Sequence, residues 1–124
     1  MPVNFNGVYQ TKCKLGKGQT TKTRYYLRFY PDGKIIGVST ECDAEAIGLK
    51  NWFFFENKKI EYLDIGSYKI VGKNIEFLVT NPIATIKYNG IIKKDRTLKL
   101  KAENQINGSI IYETFDFLEV DNLK

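Results

Sequence analysis

The chain has 124 residues, 43% of them apolar and 14% aromatic, with a formal charge of +5. That length suits one domain, 1–124, and that apolar content excludes a disordered chain. A scattered +5 excess is too small to argue a nucleic-acid binder, and the absence of histidine removes the commonest general base, metal ligand and activator of a nucleophile.

The opening MPVNFNGVYQ has no charged region followed by an apolar one, so no secretory signal is expected. No apolar run approaches the ~20 residues of a membrane-spanning helix. The expectation is a soluble, cytoplasmic protein with no membrane span.

Along the chain, short β-rich runs alternate with turn residues, the mark of an all-β fold. GVYQTKCKL (7–15) reads as the first strand and GKGQTTK (16–22) as a polar loop. TRYYLRFY (23–30) is the second strand and KIIGVSTEC (34–42) the third. PDGK between them is a turn with a mechanism. Pro31 presets φ, Asp32 can bond the backbone that follows it, and Gly33 supplies a positive φ. Residues 23–42 therefore form a hairpin. The stretch 43–62 breaks the rhythm. Asp43 can cap a short helical turn that Gly48 ends, so an irregular or short helical segment is expected there.

Alternation then resumes in GSYKIVG (66–72), IEFLVTN (75–81), IATIKYNGIIKK (83–94), TLKLKAEN (97–104) and SIIYETFDFLEV (109–120). Their short connections make antiparallel neighbours. The fold class is therefore all-β, an eight-stranded antiparallel up-and-down meander. Closing it into a barrel removes the two open edges, and a barrel of that size is filled by side chains or holds one small ligand.

Period-two alternation assigns the faces. Tyr9, Thr11, Cys13 and Leu15 point inward, then Tyr25, Leu27 and Phe29, then Ile36, Val38, Thr40 and Cys42. Later strands add Tyr68 and Ile70, Ile75, Phe77 and Val79, Ile86, Tyr88 and Ile92, Leu98 and Leu100, and Ile111, Phe115 and Phe117. Cys13 and Cys42 fall two strands apart. That is about 9.6 Å, whereas a bridge needs Cα atoms within about 7 Å, so free thiols are expected. Asn89-Gly90 suggests a bend or bulge. Glu113 shares the inward parity, where a carboxylate is costly unless paired. It can meet a ligand cation, a lysine or tyrosine hydroxyls, or a bulge or the barrel rim can release it.

Arg24, Tyr26, Arg28 and Tyr30 share the opposite face of the second strand. Exposed, that face would stack bases and neutralise phosphates. The favoured reading is a solvent face on which arginine stems cover tyrosine rings. The stretch also lacks the RNP1 pattern of RNA-recognition sheets.

Gly7-Val8-Tyr9 resembles the Gly-x-Trp signature on the first strand of lipocalins, with Tyr in place of Trp. The succession YYLRFYPDGK, WF, GSYKIVGKNIEF, YNGII, TLKL, ING and YETFDF resembles the small intracellular lipocalin-like (calycin-type) β-barrels of bacteria. The hairpin also resembles one in the barrel domain that follows some F-box domains. The resemblance spans about residues 5–119. It implies a lipocalin-like barrel and leaves the role unassigned.

Two functions compete. In the first, the interior binds a small apolar or amphipathic molecule. Tyr9, Tyr25, Phe29, Tyr68, Phe77, Tyr88 and Glu113 are the interior candidates, with Thr11 and Thr40 as polar handles, and Trp52 and Phe54 at the mouth. In the second, the core is packed and the aromatics at 52–55 dock a protein partner. An enzyme is not expected. Glu41, Asp43 and Glu45 beside Cys42 would raise a thiol pKa, and three acids in five residues more often form a solvated loop than a cation site. No cofactor or metal is expected, and nucleic acid is the least favoured partner.

Overall fold

The computed structural model describes residues 3–15, 20, 22–42 and 64–120. Nine strand segments follow in chain order: β1 (Gly7–Gln10), β2 (Lys14–Leu15), β3 (Lys22–Phe29), β4 (Lys34–Glu41), β5 (Asp64–Val71), β6 (Asn74–Asn81), β7 (Ala84–Ile92), β8 (Leu98–Asn104) and β9 (Ile110–Glu119). Each pairs antiparallel with its neighbour, and β1 pairs with β9 on one side and β3 on the other. The sheet closes on itself. Because β1 and β2 are halves of one interrupted strand, this is the expected eight-stranded meander barrel, consistent with a lipocalin-like fold. The irregular or helical segment expected at 43–62 lies outside the described residues.

The turns form for local reasons. At 30–34, Gly33 takes φ +93°, and Asp32 Oδ1 accepts the Lys34 N–H at 3.1 Å. Asn81 Oδ1 accepts the N–H groups of Ile83 and Ala84, at 2.9 and 2.8 Å. Short polar side chains thus replace the ladder bonds that a reversing backbone gives up.

The first strand is broken by a register slip. Gln10 stands opposite Tyr26, but Lys14 stands opposite Thr23. Three residues, Thr11 to Cys13, therefore face two, Arg24 and Tyr25, which is a β-bulge. Thr11 holds it from both sides: its N–H donates to the Tyr25 carbonyl at 3.0 Å, and its Oγ1 accepts the Tyr25 N–H at 3.1 Å. The extra residue reverses the alternation beyond it. Lys14 turns into the barrel, while Leu15, expected inside, is 57% exposed.

Two further expectations are corrected, one about a face and one about a bulge. On β4, Ile35 is the inward residue, beside Phe29. Ile36 and Val38 are buried on the outer side instead, in a second cluster with Val8 and Tyr26. With isoleucine at both 35 and 36, alternation alone could not choose the face; the hairpin register with β3 does. No bulge occurs at Asn89-Gly90, since β7 stays in register with both neighbours. Gly90 is needed for close approach, because any Cβ there would run into the Lys99 carbonyl.

The expectation of free thiols is also overturned. Cys13 and Cys42 form a disulfide, with Cα atoms 5.8 Å apart. The flat-sheet spacing assumed that both were ladder residues. Cys13 lies in the bulge, and Cys42 lies one residue past β4, with its N–H on the Lys22 carbonyl at 3.1 Å. The bulge on the first strand is what departs from the flat-sheet spacing and lets Cys13 approach Cys42.

One end of the barrel is closed. Val3 is buried in the core, and Asn4 donates its backbone N–H and its Nδ2 to the Tyr9 hydroxyl, at 3.0 and 3.3 Å. Above this plug, rings interlock. Phe29 meets Tyr9, Tyr68 and Phe77 edge-on, with centroids 5.3, 5.0 and 5.9 Å away. Each fully buried side chain of this size stabilises the fold by roughly 1.5–3 kcal/mol, and the edge-on geometry adds a further increment.

Candidate functional site

The opposite end, the open one among the described residues, carries the bulge, the disulfide and the 82–83 and 105–108 turns, and here the interior is polar. A cavity of about 200 Å³ opens between β2, β3, β4, β7 and β9. Hydroxyls of Thr11, Thr23, Ser39, Tyr25 and Tyr88 line it, with Ile111 and Phe115 as the apolar wall and Lys14 and Glu113 facing each other. Larger grooves, of about 400, 520 and 320 Å³, run along the outer face of β5 to β9. They are depressions between outward side chains such as Lys69, Glu76 and Lys101.

Tyr25 is the centre of the polar network. Its hydroxyl donates to Asp64 Oδ2 at 2.6 Å, and Asn81 Nδ2 donates to Asp64 Oδ1 at 2.5 Å. Asp64 is 6% exposed, and a carboxylate that deep is tolerable only with such donors. The backbone makes the reach possible. Asp64 pairs with Gly37 across β4 and β5, and the Tyr25 ring crosses β4 at Gly37, where any Cβ would overlap it. Asn81 is fixed in turn because its Oδ1 holds the β6–β7 turn.

Burial raises the Tyr25 hydroxyl well above the ordinary tyrosine range, and the nearby Tyr88 and Asp64 raise it further. Burial also raises Tyr88, with the charges of Asp64 and Glu113 adding to it. Both phenols are therefore protonated at neutral pH. The Tyr25 proton is committed to Asp64, and the Tyr88 hydroxyl is hydrogen-bonded to Tyr25 in turn.

Glu113 needs no bulge to be accommodated. The β8–β9 register runs unbroken from Leu98↔Phe115 to Glu103↔Ile110, so Glu113 stays inward, near the open end. Its Oε2 meets Lys14 Nζ at 2.6 Å, with the side chains 17% and 54% exposed. A lysine partner at the rim is thus the outcome among the alternatives open from the sequence.

Of the residues expected in the site, Tyr25, Tyr88 and Glu113 come together around the cavity. Tyr9, Phe29 and Phe77 are core residues nearer the plug. Tyr68 also belongs to the closed end, its hydroxyl donating to the Tyr30 carbonyl at 2.6 Å. Trp52 and Phe54 lie outside the described residues. Alternation missed Lys14 and Ser39, because the bulge and the β4 register reversed their parity. Asp64 was legible in principle: it shares parity with Tyr68 and Ile70 in a strand that starts two residues earlier than expected.

The Arg/Tyr face of β3 is not an open stacking platform. Tyr26 is buried in the outer cluster, and the Arg28 guanidinium lies 4.5 Å from the Tyr30 ring centroid. Among the described residues, no group of three or more His, Cys, Asp or Glu side chains could hold a metal, and no helix is long and apolar enough to cross a membrane. No protein-family model matches the chain, and a search of the curated proteins returns no match.

Proposed function

We propose that the protein is a non-catalytic binding barrel whose open-end cavity takes a compact amphipathic molecule. The observation that carries this reading is the mixed lining of one interior cavity. Hydroxyl-bearing residues, the Lys14–Glu113 ion pair and the apolar Phe115 and Ile111 share its wall, the pattern of small-molecule sites. The ring-filled lower half leaves no room for a long apolar chain, so the ligand is short. Its volume, about 200 Å³, corresponds to roughly six or seven water molecules. The protein-docking alternative rested on residues 52–55, which lie outside the described residues.

The disulfide bears on where the protein works. Such bridges persist in oxidising compartments and are rare in the cytosol, which favours an oxidising compartment over the cytoplasmic setting expected from the sequence.

Native mass spectrometry of the protein from its own host, compared with the denatured mass, tests the binding reading. The expected result is an added mass that disappears on denaturation. Bare chain mass, together with no perturbation of the Tyr25, Tyr88 or Phe115 signals by a fragment library, overturns it.

A further inference from the structure

We infer that the open-end cavity is selective for a small organic cation, a primary alkylammonium, and that Lys14 occupies its head-group position when no ligand is bound. The inference rests on the binding reading above and names the ligand class. Although the chain as a whole carries +5, the described lining of the cavity is balanced, one lysine against one glutamate. Glu113 lines it, and Asp64 lies directly behind Tyr25. Among the described residues, the one cation lining it is Lys14. An anion entering would face the Glu113 carboxylate, with the Lys14 ammonium already engaged by it.

The cavity already shows which head group it accepts. The Lys14 side chain is itself an alkylammonium, and Glu113 Oε2 binds it at 2.6 Å. At 54% exposure, Lys14 can swing its charge into water at little cost. An incoming ammonium would then inherit the Glu113 carboxylate. Its remaining protons would find the oxygens of the linked Tyr88 and Tyr25 hydroxyls, a chain whose protons run toward Asp64, and the Thr23 hydroxyl. The Phe115 and Tyr88 rings, 6.5 Å apart and roughly perpendicular, offer aromatic surface for the cation and its methylenes.

The test is an amide chemical-shift titration of the oxidised full-length chain with three matched probes: n-butylammonium, 1-butanol and butyrate. The wild type, Lys14→Met and Glu113→Gln are compared. The expected result is that n-butylammonium perturbs Thr11, Thr23, Tyr88 and Phe115 more strongly than the other two. Lys14→Met should tighten it by about fivefold, the scale of losing a half-exposed ion-pair competitor, and Glu113→Gln should weaken it by at least as much. If 1-butanol or butyrate binds the cavity as tightly, or Glu113→Gln leaves n-butylammonium affinity unchanged, cation selectivity is overturned while the binding reading stands. If no probe perturbs the cavity in the wild type or either variant, cation selectivity is overturned, and the binding reading falls with it when native mass spectrometry also shows bare chain and a fragment library leaves the cavity signals unmoved.

Discussion

Tyr25 links three strands through one hydroxyl, and its value lies in the carboxylate it satisfies. Tyr25→Phe would leave Asp64 buried with Asn81 alone. The expected loss is about 1–3 kcal/mol, the cost of an unmet buried polar group, read as a lower urea midpoint with an unchanged slope. The same residue sets a pH dependence. Folding raises Tyr25 and Tyr88 above the ordinary value of 10.0, so above that pH the unfolded chain loses these protons first. Their contribution is fully present below about pH 10 and falls away as pH rises beyond it. Stability measured from pH 8 to 12 should drop above pH 10, and the drop should be shallower in Tyr88→Phe. An equal slope in the two proteins would contradict the assignment.

At the scale of the element, the decisive feature is the bulge at Thr11 to Cys13. A regular strand would put Leu15 inside and Lys14 in solvent, and the cavity would lose its cation. Thr11 maintains the break by lending its hydroxyl where a carbonyl would otherwise accept the Tyr25 N–H. Thr11→Val keeps the shape and removes the acceptor. It should cost about 1–3 kcal/mol and speed hydrogen exchange at the Tyr25 amide, whereas Thr11→Ser should stay near wild type in both. Exchange at Tyr25 that does not respond to Thr11→Val would mean that the hydroxyl is not the acceptor in solution.

For the molecule as a whole, two closures hold the barrel. β1 joins β9 to β3, and the disulfide ties residues 29 apart in sequence at the open end. In the chain-entropy treatment, a loop of that length stabilises by about 3–4 kcal/mol. The Cys13→Ser/Cys42→Ser double variant should therefore lose roughly 2–4 kcal/mol in chemical denaturation. Alkylation of the unreduced, denatured protein should modify neither cysteine; two alkylated thiols would restore the free-thiol expectation.

The order of strands, their number and their antiparallel closure follow from the amino-acid sequence alone. Alternation and turn chemistry are local, and both are strong from residue 66 onward and in the 30–34 turn. Tyr25, Tyr88 and Glu113 were legible as inward residues that line the cavity for the same reason, since their strands run without interruption. What the sequence could not decide is every feature that depends on register. Ile35 and Ile36 are equally apolar, so only pairing with β3 chooses between them. The slip at Thr11 costs one residue and reverses Lys14 and Leu15, and nothing in TKCKL announces it. Cys13 and Cys42 approach where that slip takes Cys13 out of the ladder, at the end of β4. Tertiary structure decided these points because a register is an agreement between two strands, and neither strand carries it by itself.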